Sequence, residues 1–190
     1  MYRAMTLKVL ERKLDLHDEA GIAHLADETE IQLVQSNGEL RILLDHHDVT
    51  EAIRRPAVTR AVSRISAMKC VRDVMVREQR RMGERGGIVL EGRDIGTVVF
   101  PNADLKIFMV ADVDERVRRR EKDLRSQGAD VPLEQLKSEI IERDRKDSER
   151  DISPLRKAHD AIMLDTSKLT IEQQVDSIVE KVQDILRSMQ

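Results

Sequence analysis

Two stretches of this 190-residue sequence combine residue types that can hold a phosphate. The first, Glu91-Gly92-Arg93-Asp94-Ile95-Gly96-Thr97, directly follows the β-rich run Ile88-Val89-Leu90. A loop leaving the carboxyl end of a strand is where open α/β sheets bind their ligands. Its two glycines let the backbone approach a ligand, and the planar fork of Arg93 matches the oxygens of a phosphate. The second stretch runs from Glu142 to Arg150 and places Arg143, Asp147 and Arg150 at i, i+4 and i+7, on one face of a helix. Two guanidinium groups flanking a carboxylate could bind phosphate while the carboxylate accepts hydrogen bonds from sugar or base donors. Each stretch by itself also fits a plainer description. Gly- and Asp-rich turns are common, and charge runs form solvated faces whose pairs contribute under about 1 kcal/mol each.

Further basic clusters, Arg77 to Arg85 and Arg116 to Arg120, raise nucleic-acid binding as a minor alternative. Single-strand binders add stacking aromatics to a basic groove, but Tyr2, Phe100 and Phe108 are the only aromatic residues here, and no helix-turn-helix or zinc pattern is present. Nucleic acid is therefore not an expected partner. Cys70 and the scattered His17, His24, His46, His47 and His159 match no metal-ligand spacing, so no metal site built from side chains is expected. No Ser, His and Asp arrangement suggests acyl transfer. Phosphoryl transfer fits this inventory better, because it depends on positioning and on charge neutralisation by Arg, Lys and magnesium more than on a nucleophilic side chain. A phosphate acceptor with a second pKa of about 6 is mostly dianionic at neutral pH and requires no general base.

The elements that must position these residues can be read in order. Leu7, Leu10 and Leu14 repeat at helical spacing from the first residues onward. Glu30 to Asp48 reads as a hairpin, with Ile31, Leu33 and Gln35 alternating, Asn37-Gly38 as the turn, and Leu40, Ile42 and Leu44 returning. Pro56 starts a helix with Val58, Val62 and Ile65 on one face, and a second helix covers about Val71 to Met82 before Gly83, Gly86 and Gly87. Ile88-Val89-Leu90, Leu105 to Val110 and Ala161 to Leu164 read as three strands of a buried parallel sheet. Asp112 with Glu115 caps the helix that carries Arg116, Arg118, Arg119 and Arg120, and a charged helical hairpin runs on to Arg150. Thr170 with Gln173 caps a last helix whose Val175, Ile178, Val179, Val182, Ile185 and Leu186 have the spacing of a core-facing stripe. The expected class is α/β, with a small antiparallel insert in the first half.

Composition sets the frame around these elements. The chain is 40% hydrophobic, 36% charged and 2% aromatic, so one domain is expected, with a core of Leu, Ile, Val, Ala and the eight Met. The net charge of -3 excludes a globally basic polyanion binder. A single cysteine forms no internal disulfide, which points to a reducing cytoplasm. Apolar stretches such as Ile107 to Ala111 fall far below the roughly 20 residues of a membrane span. Arg3, Lys8, Glu11, Arg12 and Lys13 interrupt any signal-peptide core.

Taken in order, these segments resemble the bacterial cytidylate kinases, P-loop nucleoside monophosphate (NMP) kinases that move the terminal phosphate of ATP to CMP or dCMP. The landmarks are Asp48-Val49-Thr50 with Ile53-Arg54, Gly92-Arg93-Asp94-Ile95-Gly96-Thr97-Val98-Val99, Leu105-Lys106-Ile107-Phe108, Glu142-Arg143-Asp144 through Asp147 to Arg150, Ser153-Pro154-Leu155 and Leu164-Asp165-Thr166. The resemblance implies an NMP-kinase-like parallel sheet with flanking helices, a monophosphate-binding insert at about residues 27–60 and a helical lid at about residues 118–152. It implies that Ser63, Arg72 and Asp94 surround the cytosine, and that Arg143 and Asp147 reach the sugar hydroxyls. Arg3, Arg93 and Arg150 would neutralise the monophosphate and the transferring group, with Arg93, Arg143 and Arg150 as the catalytic set. Arg119 and Arg120 would lie in the lid over ATP. Mg2+ would arrive on ATP, and the enzyme would be a cytoplasmic monomer.

One departure stands out. The family opens with a strand, a glycine-rich loop ending in Gly-Lys, a helix and an Asp-Ser-Gly segment just before the Tyr-Arg that matches Tyr2-Arg3. In this sequence none of Gly21, Gly38, Gly83, Gly86, Gly87, Gly92, Gly96 and Gly128 is followed by Lys. The expectation is a sheet lacking its central first strand and a chain about 35 to 40 residues short of the family domain. Either the recorded start lies too late, with Met1 an internal methionine, or the chain is a truncated or split fragment that binds CMP without catalysis. An unrelated Arg-rich binding module is the third reading. Losing one preorganised phosphate donor costs about 100- to 1,000-fold in rate, so a chain without the whole loop is expected to be inactive.

Overall fold

The computed structural model describes residues 1–36, 38–126 and 128–188, and the chain divides into two compact units, Met1–Val89 and Leu90–Gln190. In the first unit, α1 (Tyr2–Glu11) buries Ala4, Met5, Leu7 and Val9. Asp18 caps α2 (Glu19–Asp27) by accepting from the Gly21 amide at 2.9 Å. Strands β1 (Ile31–Ser36) and β2 (Glu39–Leu44) form the expected antiparallel hairpin, with Ile31 opposite Leu44 and Leu33 opposite Ile42. The register therefore puts the alternating apolar residues on one face. Gly38 takes φ 80°, the left-handed turn conformation that glycine adopts at no steric cost, while Asn37 lies outside the described residues. A short β3 (His47–Asp48) extends this sheet.

A 3-10 turn, Ala52–Arg54, leads into α3 (Pro56–Ile65), where Pro occupies the first helical turn. Val58, Ala61, Val62 and Ile65 lie at i, i+3, i+4 and i+7, and all four are buried. α4 (Lys69–Gly83) buries Val71, Val74 and Met75. α1 packs on α3 and α2 on α4, so the main apolar cluster from Ala4 to Met75 belongs to this unit. Each fully buried Ile, Val or Met contributes about 1.5–3 kcal/mol. Inside that cluster's edge, Lys8 reaches Asp45 at 2.6 Å.

The second unit is held together differently. β4 (Ile107–Val110) and β5 (Ile162–Asp165) pair in parallel, and Thr166 extends the pairing by donating its amide and its hydroxyl to the Val110 carbonyl. α5 (Val113–Ser126) packs on α6 (Leu133–Glu149), and Val117 and Leu136 are the buried apolar side chains of the two helices. α7 (Ile171–Ser188) starts at a reciprocal capping box, in which the Thr170 amide donates to the Gln173 side chain and the Gln173 amide to the Thr170 hydroxyl.

Two expectations fail here. Ile88-Val89-Leu90 is not a strand among the described residues, and Val89 is 98% exposed. An extended run becomes a buried strand only where a neighbour pairs its amides and carbonyls, and this run follows Gly86 and Gly87, both at positive φ. The α7 stripe is also uncovered, since no residue of that helix is buried and Val175, Val179, Val182 and Leu186 are all exposed. Two paired four-residue strands, each about 13 Å long, cannot cover an 18-residue helix about 27 Å long.

Candidate functional site

The loop after Leu90 is shaped by its backbone. Amides of Thr97, Val98 and Val99 all point at the Asp94 carbonyl, at 3.3, 2.9 and 3.4 Å, which winds Ile95–Val99 into a wide π-type turn. Gly96 lies within this turn close to Lys106, and a Cβ there would stand 3.2 Å from Cδ of Lys106, which would have to shift by a few tenths of an ångström. The buried Lys106 ammonium donates to the Pro101 carbonyl and, at 2.6 Å, to Asp160, tying the far end of the loop to the segment before β5. Arg93 and Asp94 stand at the near end, and Asp94 is buried.

Arg93 meets α6. Its Nη2 donates to Asp144 at 2.9 Å, and its Nε lies 3.1 Å from Oδ2 of Asp147. Asp144 also accepts from Arg116 of α5, while Asp147 has Arg143 and Arg150 each at 3.8 Å. Arg150 takes φ -63°, ψ 142° as the cap residue just past the helix, so it reaches Asp147 from the following loop and not from the helical face expected of it. Its Nε is fixed on the Ser153 carbonyl at 2.7 Å. Asp147 and Arg150 are both nearly enclosed, at 7% and 8% side-chain exposure.

Four guanidinium groups gather around two carboxylates at this spot. Burial by itself would raise the Asp144 carboxyl, but the Arg116 hydrogen bond and the charges of Arg116 and Arg93 outweigh it and hold Asp144 below the usual carboxylate range. Arg143 is held below the usual arginine value by burial and by the neighbouring Arg93 charge. A cluster of forked guanidinium donors has the chemistry that suits a doubly charged phosphate. Among the described residues, no group of three or more His, Cys, Asp or Glu side chains is arranged to hold a metal ion.

The remaining candidates divide between the units. Arg119 does not join the cluster, since its fork is engaged by Glu115, the Thr166 carbonyl and the Thr166 hydroxyl, which ties α5 to the end of β5. Arg120 is half-buried on the same helix. In the first unit, Arg72 is buried with Nη1 donating to the Ser66 carbonyl at 3.1 Å and its guanidinium 5.3 Å from the Tyr2 ring centre. Ser63 lies on α3, half-buried, and its carbonyl accepts from the Ser66 hydroxyl. Arg3 donates to the Ile53 carbonyl and to the Thr59 hydroxyl. Asp144, Arg116 and Lys106 are the participants that residue spacing did not single out. Asp144 sits within the charged run, but its partners are 51 and 28 residues away, a distance that no local pattern encodes.

The second unit is thus a strand-and-helix unit whose glycine-bearing turn delivers an arginine into a cluster of guanidinium groups, an α/β architecture. The matching family model carries this further, because it is that of cytidylate kinase and it matches residues 1–184. The chain belongs to the cytidylate kinase family. It is 45% identical over 183 residues to the cytidylate kinase of Bacillus subtilis (strain 168), covering 96% of this chain and 82% of that one. It is 46% identical over 184 residues to the cytidylate kinase of Pediococcus pentosaceus, covering 97% and 81%. A bifunctional pantoate ligase/cytidylate kinase of a Synechococcus strain is 48% identical over 189 residues, covering 98% of this chain and 35% of that protein. Among the described residues, no helix is long and apolar enough to cross a membrane.

Proposed function

We propose that this chain carries the CMP side of a phosphoryl-transfer site, accepting CMP or dCMP, with ATP as the donor and Mg2+ arriving on the ATP phosphates. The observation that carries the reading is the Arg93, Arg116, Arg143 and Arg150 cluster around Asp144 and Asp147. Before substrate arrives, the two carboxylates hold the guanidinium groups at close range, so their ordering precedes binding. A monophosphate of charge about -2 then takes the forked donors of Arg93 and Arg150. Arg93, Arg143 and Arg150 neutralise charge on the transferring group, and Arg143 with Asp147 faces the sugar hydroxyls. In the first unit, Arg3 is assigned to the monophosphate and Ser63 and Arg72 to the cytosine; in the second unit, Asp94 is likewise assigned to the cytosine. Residues 27–60 form the monophosphate-binding insert and residues 118–152 the lid, in which Arg119 and Arg120 approach ATP. Closure of such a lid excludes the water that would otherwise accept the phosphate.

Within these 190 residues no glycine is followed by lysine. On this reading these 190 residues bind CMP but do not transfer phosphate by themselves. A coupled assay of ATP plus CMP is expected to detect no ADP from this polypeptide, while calorimetry detects CMP. Sustained ADP formation would overturn the account of ATP binding. Absence of CMP binding to the folded chain would overturn the account of the arginine cluster.

A further inference from the structure

Arg3 is held from two directions inside the first unit. Its Nε donates to the Ile53 carbonyl at 2.8 Å, and its Nη2 donates to the Thr59 hydroxyl oxygen at 2.6 Å. The Thr59 hydroxyl also lies 3.4 Å from the carbonyl of Arg55, the residue that caps the start of α3. A hydroxyl has one donor and two acceptor positions. Here the proton goes back to the helix start and a lone pair faces the guanidinium. The 3-10 turn and the first turns of α3 thus aim a side chain that rises from α1. A β-branched residue is a weak choice in a helix at a half-buried position, so the hydroxyl is what this site gains from threonine.

We propose that Thr59 is a positioning residue for the monophosphate, acting by fixing the fork of Arg3. This rests on the reading of Arg3 as a monophosphate ligand. A flexible arginine held beforehand loses less freedom when an anion binds, so Thr59 strengthens binding of the phosphorylated nucleoside and leaves the bare nucleoside unaffected. A purely structural staple between α1 and α3 would act on both alike.

Calorimetric titration of the 190-residue chain with CMP and with cytidine separates the two, run beside thermal melts for the wild type, Thr59→Val, Thr59→Ser and Arg3→Ala. Thr59→Val is expected to lower the CMP-to-cytidine affinity ratio by about three- to tenfold, Arg3→Ala by at least as much, and Thr59→Ser to restore the wild-type ratio. Thr59→Ala serves as a second hydroxyl deletion if valine crowds the helix. A ratio unchanged by Thr59→Val and Thr59→Ala but lowered by Arg3→Ala overturns the positioning role alone. A ratio unchanged by Arg3→Ala, or a wild type that binds CMP no more tightly than cytidine, overturns the phosphate reading of Arg3 and the role of Thr59 with it.

Discussion

At the scale of single residues, Asp147 is the most exposed to failure, because it is enclosed among Arg93, Arg143 and Arg150. Removing one member of a buried ion cluster leaves the others uncompensated and costs about 3–5 kcal/mol. Asp147→Ala is therefore expected to lower unfolding free energy by about that amount, measured by urea titration; a loss below about 1 kcal/mol would place the cluster among ordinary surface pairs. Asp144 gives a pH signature. Its folded-state pKa is depressed by Arg116 and Arg93 against the upward push of burial. Its contribution is then fully present above the unfolded carboxyl value of about 3.9 and is lost as pH falls through the lower folded value. Asp144→Asn is expected to flatten the acid limb of stability below about pH 4, followed by melting temperature against pH. The spacing of Arg143 and Asp147 placed them on one helix face, as α6 shows, whereas Arg150 joins them from the loop beyond the helix. Asp144 and Arg116 were not legible, because their contact joins two helices whose packing no single segment contains.

At the scale of elements, the loop that delivers Arg93 depends on Lys106, whose ammonium links the Pro101 carbonyl to Asp160 under Gly96. Lys106→Met keeps the packing stem and deletes the charge. It is expected to cost about 0.5–1.5 kcal/mol, since the Pro101 carbonyl and the Asp160 carboxylate lose their donor but remain open to water, and differential scanning calorimetry reads the change. Local signals served the elements well wherever the cause was local. The β1–β2 register followed from alternation, α3 from Pro56 and its i, i+3, i+4, i+7 stripe, and the start of α7 from Thr170 and Gln173. The failures share one cause of the opposite kind. Ile88-Val89-Leu90 and the α7 stripe have apolar patterns that say burial, but burial needs a second surface, and that surface is a property of the fold and not of the segment.

At the scale of the whole chain, apolar packing and charge are unevenly shared. The main apolar cluster runs from Ala4 to Met75, whereas the second unit relies on buried polar groups such as Lys106, Asp147 and Thr166. Hydrogen exchange is expected to show slow amides in α1 and α3 and fast amides in α7, which has no buried residue; equal protection would contradict this division. A chain of 36% charged and 2% aromatic residues is compatible with the proposed arginine-lined nucleotide site and charged helical lid. The central claim is that the chain recognises a cytosine nucleotide, and side-by-side calorimetric titration with CMP and AMP tests it most directly. CMP is expected to bind at least about tenfold tighter than AMP, a difference of about 1.4 kcal/mol from hydrogen bonds that only cytosine satisfies. Equal affinity for the two nucleotides would contradict it.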